Sequence, residues 1–361
     1  MGTLQTPQSA GSAGSAGRIS ESEKSFPDDR GVLSVRPGFE PRRWLRGGHV
    51  QTLASFFLQR RIHLPPPERR LIEVESGISV LSLCHWQSDR RNVPTLIVVH
   101  GLEGSADSQY MLGVTRNGLA AGMNVVRMNQ RNCGGMDHHA ATLYNSGLSV
   151  DVAAVARNVV ERDGVSQFAL VGFSMGGNLV LKLAGEWGRE GPKQFRAVAA
   201  VCPAMDLAAS ADALHAPANR LYEYYFLMQL FRRFRRKVRL FPQRFEVSRL
   251  RGVSSLRGFD DRVTAFYCGF SDATDYYARA AAANVVDRIS VPALIIHAAN
   301  DPFIRVSLET RKKVLANPNI TYIETADGGH CAFLGQINGS SADDGRWAER
   351  EVVEFVKQRA A

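Results

Sequence analysis

The chain has 361 residues, 45% of them hydrophobic, with 44 Lys and Arg against 35 Asp and Glu and a formal net charge of +9. That length can bury a sizeable core and hold one large domain plus an insertion, and the apolar content argues against a disordered or fibrous chain. No run of roughly 18 apolar residues occurs, which argues against a membrane-spanning helix. The five cysteines, Cys84, Cys133, Cys202, Cys268 and Cys331, are odd in number and form no C-x-x-C pair. A disulfide framework or zinc site is therefore not expected, and a reducing compartment suits them.

Residues 1–25 include Ser9-Ala10-Gly11-Ser12-Ala13-Gly14-Ser15-Ala16-Gly17. This low-complexity stretch has no apolar face to bury and reads as a flexible tail. No basic-then-apolar signal pattern opens the chain, so a cytoplasmic location is expected. Residues 26–70 mix aromatic and basic residues with prolines and read as an arm packing on the domain at 71–361. His49 and Gln51 in that arm are expected to be structural.

Residues 71–74 and 79–83 read as an opening hairpin. Strand-like runs follow at 93–99, 124–128, 168–171, 197–201, 293–297 and 320–323. Helical runs separate most of them. That alternation predicts an α/β fold with a mostly parallel sheet covered on both faces. Residues 150–162 form one such helix, with Ser149 or Asp151 expected as its cap.

Asp137-His138-His139 raises the question of a metal. Adjacent histidines point in different directions and no further spaced ligands accompany them, so no metal is expected. From about 205 to 286 no buried strand is legible and aromatics become frequent, which predicts a helical cap. Within it Leu221, Tyr224, Tyr225, Met228 and Phe231 recur at helical spacing. The stripe is expected to pack on the core, and as a lid to wall an apolar acyl pocket. Six of the next eight residues, 232–239, are cationic. No nucleic-acid fold signature is present, so no nucleic acid is expected. Peripheral contact with an anionic membrane fits the run better, beside the plain reading of a solvated surface.

The chemistry concentrates at Gly172-Phe173-Ser174-Met175-Gly176-Gly177. This is G-x-S-x-G between a strand-like and a helix-like run, the context of a nucleophile elbow. The turn must be strained for the serine hydroxyl to project, and glycines let strand and helix approach. A base and an orienting acid are needed downstream, in the order Ser, Asp or Glu, His. Asp301 follows the strand at 293–297, and His330 follows Gly328-Gly329 after the strand at 320–323. Ser174, His330 and Asp301 are the expected nucleophile, base and orienting acid. The expected oxyanion donors are the main-chain N–H groups of Met175 and of Leu102, in the loop after the strand at 93–99. His100 ends a strand ahead of the elbow and is expected to organise that loop. Cys331 adjoins His330 but lacks an elbow, so it is expected to be an idle thiol.

From about Phe39 onward the chain resembles the α/β-hydrolase-4 family. The matching segments include Trp44-Leu45-Arg46-Gly47-Gly48-His49-Val50-Gln51-Thr52, His100-Gly101-Leu102-Glu103-Gly104-Ser105 and Arg127-Met128-Asn129-Gln130-Arg131-Asn132-Cys133-Gly134-Gly135. The elbow, Asn300-Asp301-Pro302-Phe303 and Gly328-Gly329-His330 complete the set. The resemblance implies an α/β-hydrolase fold with a helical cap. It also implies esterase or lipase activity on short- to medium-chain acyl esters through Ser174, Asp301 and His330. Two positions depart from the family pattern: Asn300, where an acid is more usual, and Arg305, where proline is. No histidine has an aspartate five positions on, so the H-x-x-x-x-D acyltransferase motif of some relatives is missing. No cofactor is expected, because such acyl transfer needs only water as second substrate. An alcohol in place of water would make the same enzyme an ester synthase. A non-catalytic binding protein on this fold is the remaining alternative.

Overall fold

The computed structural model describes residues 1–2, 39–337 and 344–359. Apart from Met1 and Gly2, the expected tail and the start of the expected arm lie outside the described residues.

Eight strands form one sheet: β1 (Glu68–Glu75), β2 (Ile78–His85), β3 (Thr95–Val99), β4 (Asn124–Met128), β5 (Phe168–Phe173), β6 (Phe195–Val201), β7 (Ala293–Ala298) and β8 (Ile320–Thr325). Their spatial order is β1-β2-β4-β3-β5-β6-β7-β8. The pairs β1·β2 and β2·β4 are antiparallel, and every later pair is parallel. The composition of the strands explains their places. β3, β4, β5 and β7 are buried along their whole length, as strands covered on both faces must be. β1 alternates, with Ile72 inward and Arg69, Leu71 and Glu73 outward, which suits an edge.

Side chains alternate between faces along each strand, so two apolar layers form. Ile97, Val99, Leu170 and Ile295 join α3 (Ser149–Asp163) and α4 (Met175–Trp187) on one face. Leu96, Val98, Val171 and Ile296 meet α2 (Gln109–Ala120) and the C-terminal helix (Trp347–Arg359) on the other. Ahead of the sheet, α1 (Gly48–Phe57) lies beside the histidine loop. Gln51 is fully buried there; its amide donates to Leu45 O and Leu334 O, and its carbonyl accepts from Leu334 N–H.

The caps expected for α3 are not used. Ser149 is already inside the helix, and its hydroxyl donates to Glu186 at 2.5 Å. Asp151 is bidentate with Arg131, both bonds 2.6 Å. A buried guanidinium outcompetes a main-chain N–H for the carboxylate because the bond is charge-assisted.

Between β6 and β7 the described chain is helical, beginning with α5 (Leu207–His215) and α6 (Arg220–Leu240). The face of α6 that packs inward differs from the expected stripe. Leu221 is 84% exposed and Tyr224 65% exposed, with Tyr225 also outward. The buried residues are Glu223, Leu227, Leu230, Arg233, Phe234 and Lys237. Three of the six are charged, and each has an internal partner. Glu223 accepts from His215 and Leu256 N–H, Arg233 holds Glu103, and Lys237 donates to Asn132 Oδ1 and to the carbonyls of Asp137 and Ala140. Paired charges are tolerated inside, so polarity misassigned the face. The basic run is divided for the same reason: Arg233 and Lys237 point in, and Arg232, Arg235, Arg236 and Arg239 point out. No described helix is long and apolar enough to cross a membrane.

Main chain packs closely around the β5–α4 turn. A Cβ on Gly172 would lie 2.3 Å from Gly176 O, and one on Gly176 would lie 2.3 Å from Val99 O. Gly122, by contrast, has φ +79° and open space around it. Gly122→Ala should cost about 1–2 kcal/mol, the left-handed backbone penalty alone. Gly176→Ala should cost about 3 kcal/mol or more, through overpacking against main chain that cannot yield. Urea denaturation of the two variants checks the contrast, and equal losses would contradict it.

Candidate active site

Ser174 follows β5 with φ 54° and ψ −119°, a left-handed backbone that a side chain rarely adopts. The turn is held from several sides. Ser174 N–H donates to Val201 O at 2.9 Å, and Ser174 O accepts from Asn178 N–H and Ala204 N–H. The structure brings the three expected residues together. Ser174 Oγ lies 3.0 Å from His330 Nε2, and His330 Nδ1 lies 2.8 Å from Asp301 Oδ2. The second Asp301 oxygen accepts the N–H groups of Phe303 and Ile304.

Electrostatics follow from that chain of bonds. Burial disfavours charge on the imidazole, but the Asp301 carboxylate and its hydrogen bond outweigh burial and hold the His330 pKa above its ordinary value. Burial likewise opposes charge on Asp301, and the His330 partner and main-chain donors more than offset it. The Asp301 pKa is lowered and the group stays ionised.

The histidine loop is fixed by α1 and by the acid loop. His330 N–H donates to Thr52 Oγ1 at 2.9 Å. Gly329 has φ +57°, and a Cβ there would meet Gly48 O at 2.5 Å. Asn300 donates to Asp327 Oδ1 and accepts from Gly329 N–H, so its amide links the two loops as donor and acceptor. A carboxylate at 300 has no proton to donate to Asp327. Arg305 donates to the carbonyls of Asp301 and Pro302 at 2.7 and 2.9 Å, bracing the acid loop from outside.

On the other side of Ser174 lies the loop after β3. Neither Leu102 N–H nor Met175 N–H donates to any group among the described residues. Gly101 N–H donates to Tyr110 OH, and a Cβ on Gly101 would stand 3.0 Å from Ser174 Cβ. His100 is fully buried and engaged at both nitrogens, with Gly101 O at 2.8 Å and Gln130 N–H at 3.2 Å. Burial, helped by the Arg233 charge, pulls its pKa down to about 4, so it is neutral. Glu103 also has a left-handed backbone, φ 54°. Its carboxylate accepts a forked pair from Arg233 at 2.9 and 3.0 Å and the Tyr144 hydroxyl at 2.5 Å. The cap helix α6 is thereby tied to the loop that carries Leu102.

Cys331 Sγ lies 3.9 Å from His330 Nε2 and 3.5 Å from Val201 O. Among the described residues, Cys202 with His330 and Cys331, or with His297 and Asp301, is spaced to hold a cation. Burial drives the Cys202 thiol well above its ordinary pKa, which keeps it protonated and a poor metal ligand. The Asp137-His138-His139 segment is a short 3-10 turn and forms no such group.

Ser174 and Met175 open onto a cavity of about 110 Å³ between the sheet and the cap. Leu102, Leu207, Leu214, Leu230 and Phe303 are among its walls. Sequence reasoning missed Thr52, Tyr110, Arg233 and Tyr144 as supports of this site. Each acts through a partner outside its own element, and no spacing signal marks it.

Residues 94–336 match the family model of the α/β hydrolase fold. The chain belongs to that family. It is 30% identical over 330 residues to the putative esterase YheT of Escherichia coli (strain K12), covering 91% of this chain and 95% of that protein. It is 27% identical to the phospholipase ABHD3 of Mus musculus, covering 83% of this chain and 74% of the relative. Among solved structures, an esterase of Pyrobaculum calidifontis superposes with a TM-score of 0.54 at 17% identity, covering 87% of this chain and 90% of that one. At that identity the likeness concerns the α/β hydrolase fold alone.

Nuclear magnetic resonance titration of the His330 ring should give a pKa above the ordinary value of about 6.5. In Asp301→Asn the pKa should fall, because the carboxylate that favours the imidazolium is gone. An unchanged value in the variant would sever the electrostatic link between the two residues.

Proposed function

We propose that this hydrolase cleaves carboxylic esters of short- to medium-chain acyl groups, with Ser174, His330 and Asp301 as its triad. The observation that carries the reading is the Ser174–His330–Asp301 chain of bonds at 3.0 and 2.8 Å, at the mouth of an apolar cavity. The names of the relatives agree with it. The Ser174 hydroxyl passes its proton to His330 Nε2 as Oγ attacks the ester carbonyl. Asp301 stabilises the imidazolium and fixes the tautomer. The carbonyl oxygen, now an oxyanion, receives Leu102 N–H and Met175 N–H. A donor of this kind typically contributes about 2.7–4 kcal/mol to the transition state. His330 then protonates the departing alcohol. In the second half, water gives a proton to His330 and attacks the acyl carbonyl, and Ser174 leaves with that proton. An alcohol entering instead of water would regenerate an ester, so hydrolysis and alcohol transfer share one intermediate.

His330 acts as a base only when neutral. Since its pKa is raised, the rate should climb as pH increases through that value. The deciding experiment is hydrolysis of p-nitrophenyl esters from acetyl to palmitoyl by wild type and Ser174→Ala. Turnover by wild type with a loss of at least about a thousandfold in the variant is expected. Equal rates in both proteins, or no turnover of any ester, would sink the reading.

The exterior of α6 supports peripheral contact with an anionic membrane. Leu221, Tyr224, Tyr225 and Met228 share one helix face with Arg232, Arg235, Arg236 and Arg239, apolar in the first half and cationic in the second. Val50, Leu53, Phe56 and Phe57 of α1 are exposed beside it, and the Phe56 and Tyr225 rings are 5.8 Å apart. An arginine near an anionic bilayer contributes about 1 kcal/mol. Sedimentation with phosphatidylserine-containing vesicles should therefore weaken about tenfold or more in Arg235→Glu/Arg239→Glu. Binding that is equal on neutral vesicles, or unaffected by the double change, would refute the contact.

A further inference from the structure

The cavity beside Ser174 is apolar over most of its wall, and its polar lining includes a carboxylate. Asp260, Thr264 and Tyr277 line it together. Asp260 begins a π-helical turn, Asp260–Ala265, in the cap. Such turns are uncommon and are often found at functional sites. The residue is only 9% exposed, and its carboxylate accepts Thr264 Oγ1–H at 2.8 Å and Tyr277 OH at 2.7 Å.

The donor count is the informative part. An ionised carboxylate offers about four acceptor sites, and these bonds fill two. Both hydroxyls direct their protons at Asp260 and have none left for another group. Among the described residues no Lys, Arg or His forms a salt bridge with Asp260. Arg257, a cation whose charge reaches it, is stacked over the Tyr277 ring at 5.0 Å and pairs with Asp212. Burial pushes the Asp260 pKa up to about 6 against the pull of Tyr277 and Thr264, so the group is mostly ionised at neutral pH. The patch is therefore rich in acceptors and poor in donors, and the cation on the same cavity wall, Arg233, is taken by Glu103.

We propose that Asp260 is a specificity-determining residue that receives a hydroxyl carried on the acyl chain of the ester. The proposal rests on the esterase reading and names its substrate class as hydroxyacyl esters. A buried carboxylate without a cation gains from a donor that arrives with substrate. A hydroxyl suits the apolar approach better than an ammonium, which would have to shed far more water to enter. A carboxylate at the same position on the chain would meet like charge and be refused.

The test uses chain-matched p-nitrophenyl esters from hexanoyl to dodecanoyl in three forms: unsubstituted, ω-hydroxy and ω-carboxy. For wild type, kcat/KM for the ω-hydroxy ester should exceed that of its unsubstituted match by about tenfold or more at one chain length. The ω-carboxy ester should be the poorest of the three. In Asp260→Leu the hydroxyl preference should vanish or reverse, and in Thr264→Val, which spares the carboxylate, it should persist. Each ratio is taken within one protein, so a change in folded fraction cancels. If Asp260→Leu does not fold, Asp260→Asn keeps the shape of the residue, and the preference should fall at least about threefold.

A ratio near one at every length in wild type would overturn the proposal. So would a preference that survives removal of the carboxylate. Either result, with unsubstituted esters still cleaved, leaves the esterase reading standing. Failure to cleave any ester overturns both.

Discussion

The site depends on how closely β5 and α4 approach at the turn bearing Ser174. Main chain touches main chain there, with room for a Cβ on neither Gly172 nor Gly176. That closeness holds Ser174 at φ 54° and turns its hydroxyl out of the sheet. Met175 follows directly, at the start of α4. A left-handed serine persists only when its surroundings over-determine it. Hydrogen bonds to Val201, Asn178 and Ala204 supply that determination from β6, α4 and the loop after β6. The left-handed backbone of Ser174 thus originates in main chain packed too tightly to relax.

Parallel strands bring the remaining parts to the same edge. Ser174 follows β5, Asp301 follows β7, His330 follows β8, and the Leu102 loop follows β3. A parallel sheet collects the C-terminal ends of its strands on one side, so residues far apart in the chain converge there. The loops still need fixing, and elements outside the sheet do it. Helix α1 holds the histidine loop through Thr52, and Asn300 joins that loop to the acid loop.

The cap is tied to the loops beside Ser174 rather than laid over them. Arg233 and Lys237 reach from α6 to Glu103 and Asn132, two left-handed residues on the loops after β3 and β4. Buried ion pairs are weak sources of stability, since desolvation offsets much of the attraction. Their geometry is specific, however, and a forked guanidinium accepts one orientation of a carboxylate. The inner face of α6 therefore fixes the loop and the cavity wall together. The outer face is left free to carry an apolar and cationic surface.

Much of this was legible in the chain. Continuous apolar runs marked the central strands, because a strand covered on both faces has no polar side. The elbow was legible because its glycines are a local requirement, and the order Ser174, Asp301, His330 followed from strand succession. The face of α6 was not legible. Periodicity reports which residues share a face but not which face meets the core, and three buried charges had partners that no local pattern reveals. The caps of α3 failed similarly, since Arg131 claims Asp151 only once β4 and α3 are packed. Thr52, Tyr110 and Arg233 gained their roles by proximity across the fold. The sequence by itself determined the elements and the places of Ser174, Asp301 and His330 at strand ends, because those follow from neighbours along the chain. The tertiary structure alone decided which groups hold them in place, because a hydrogen bond or ion pair between distant segments exists only after folding brings them together.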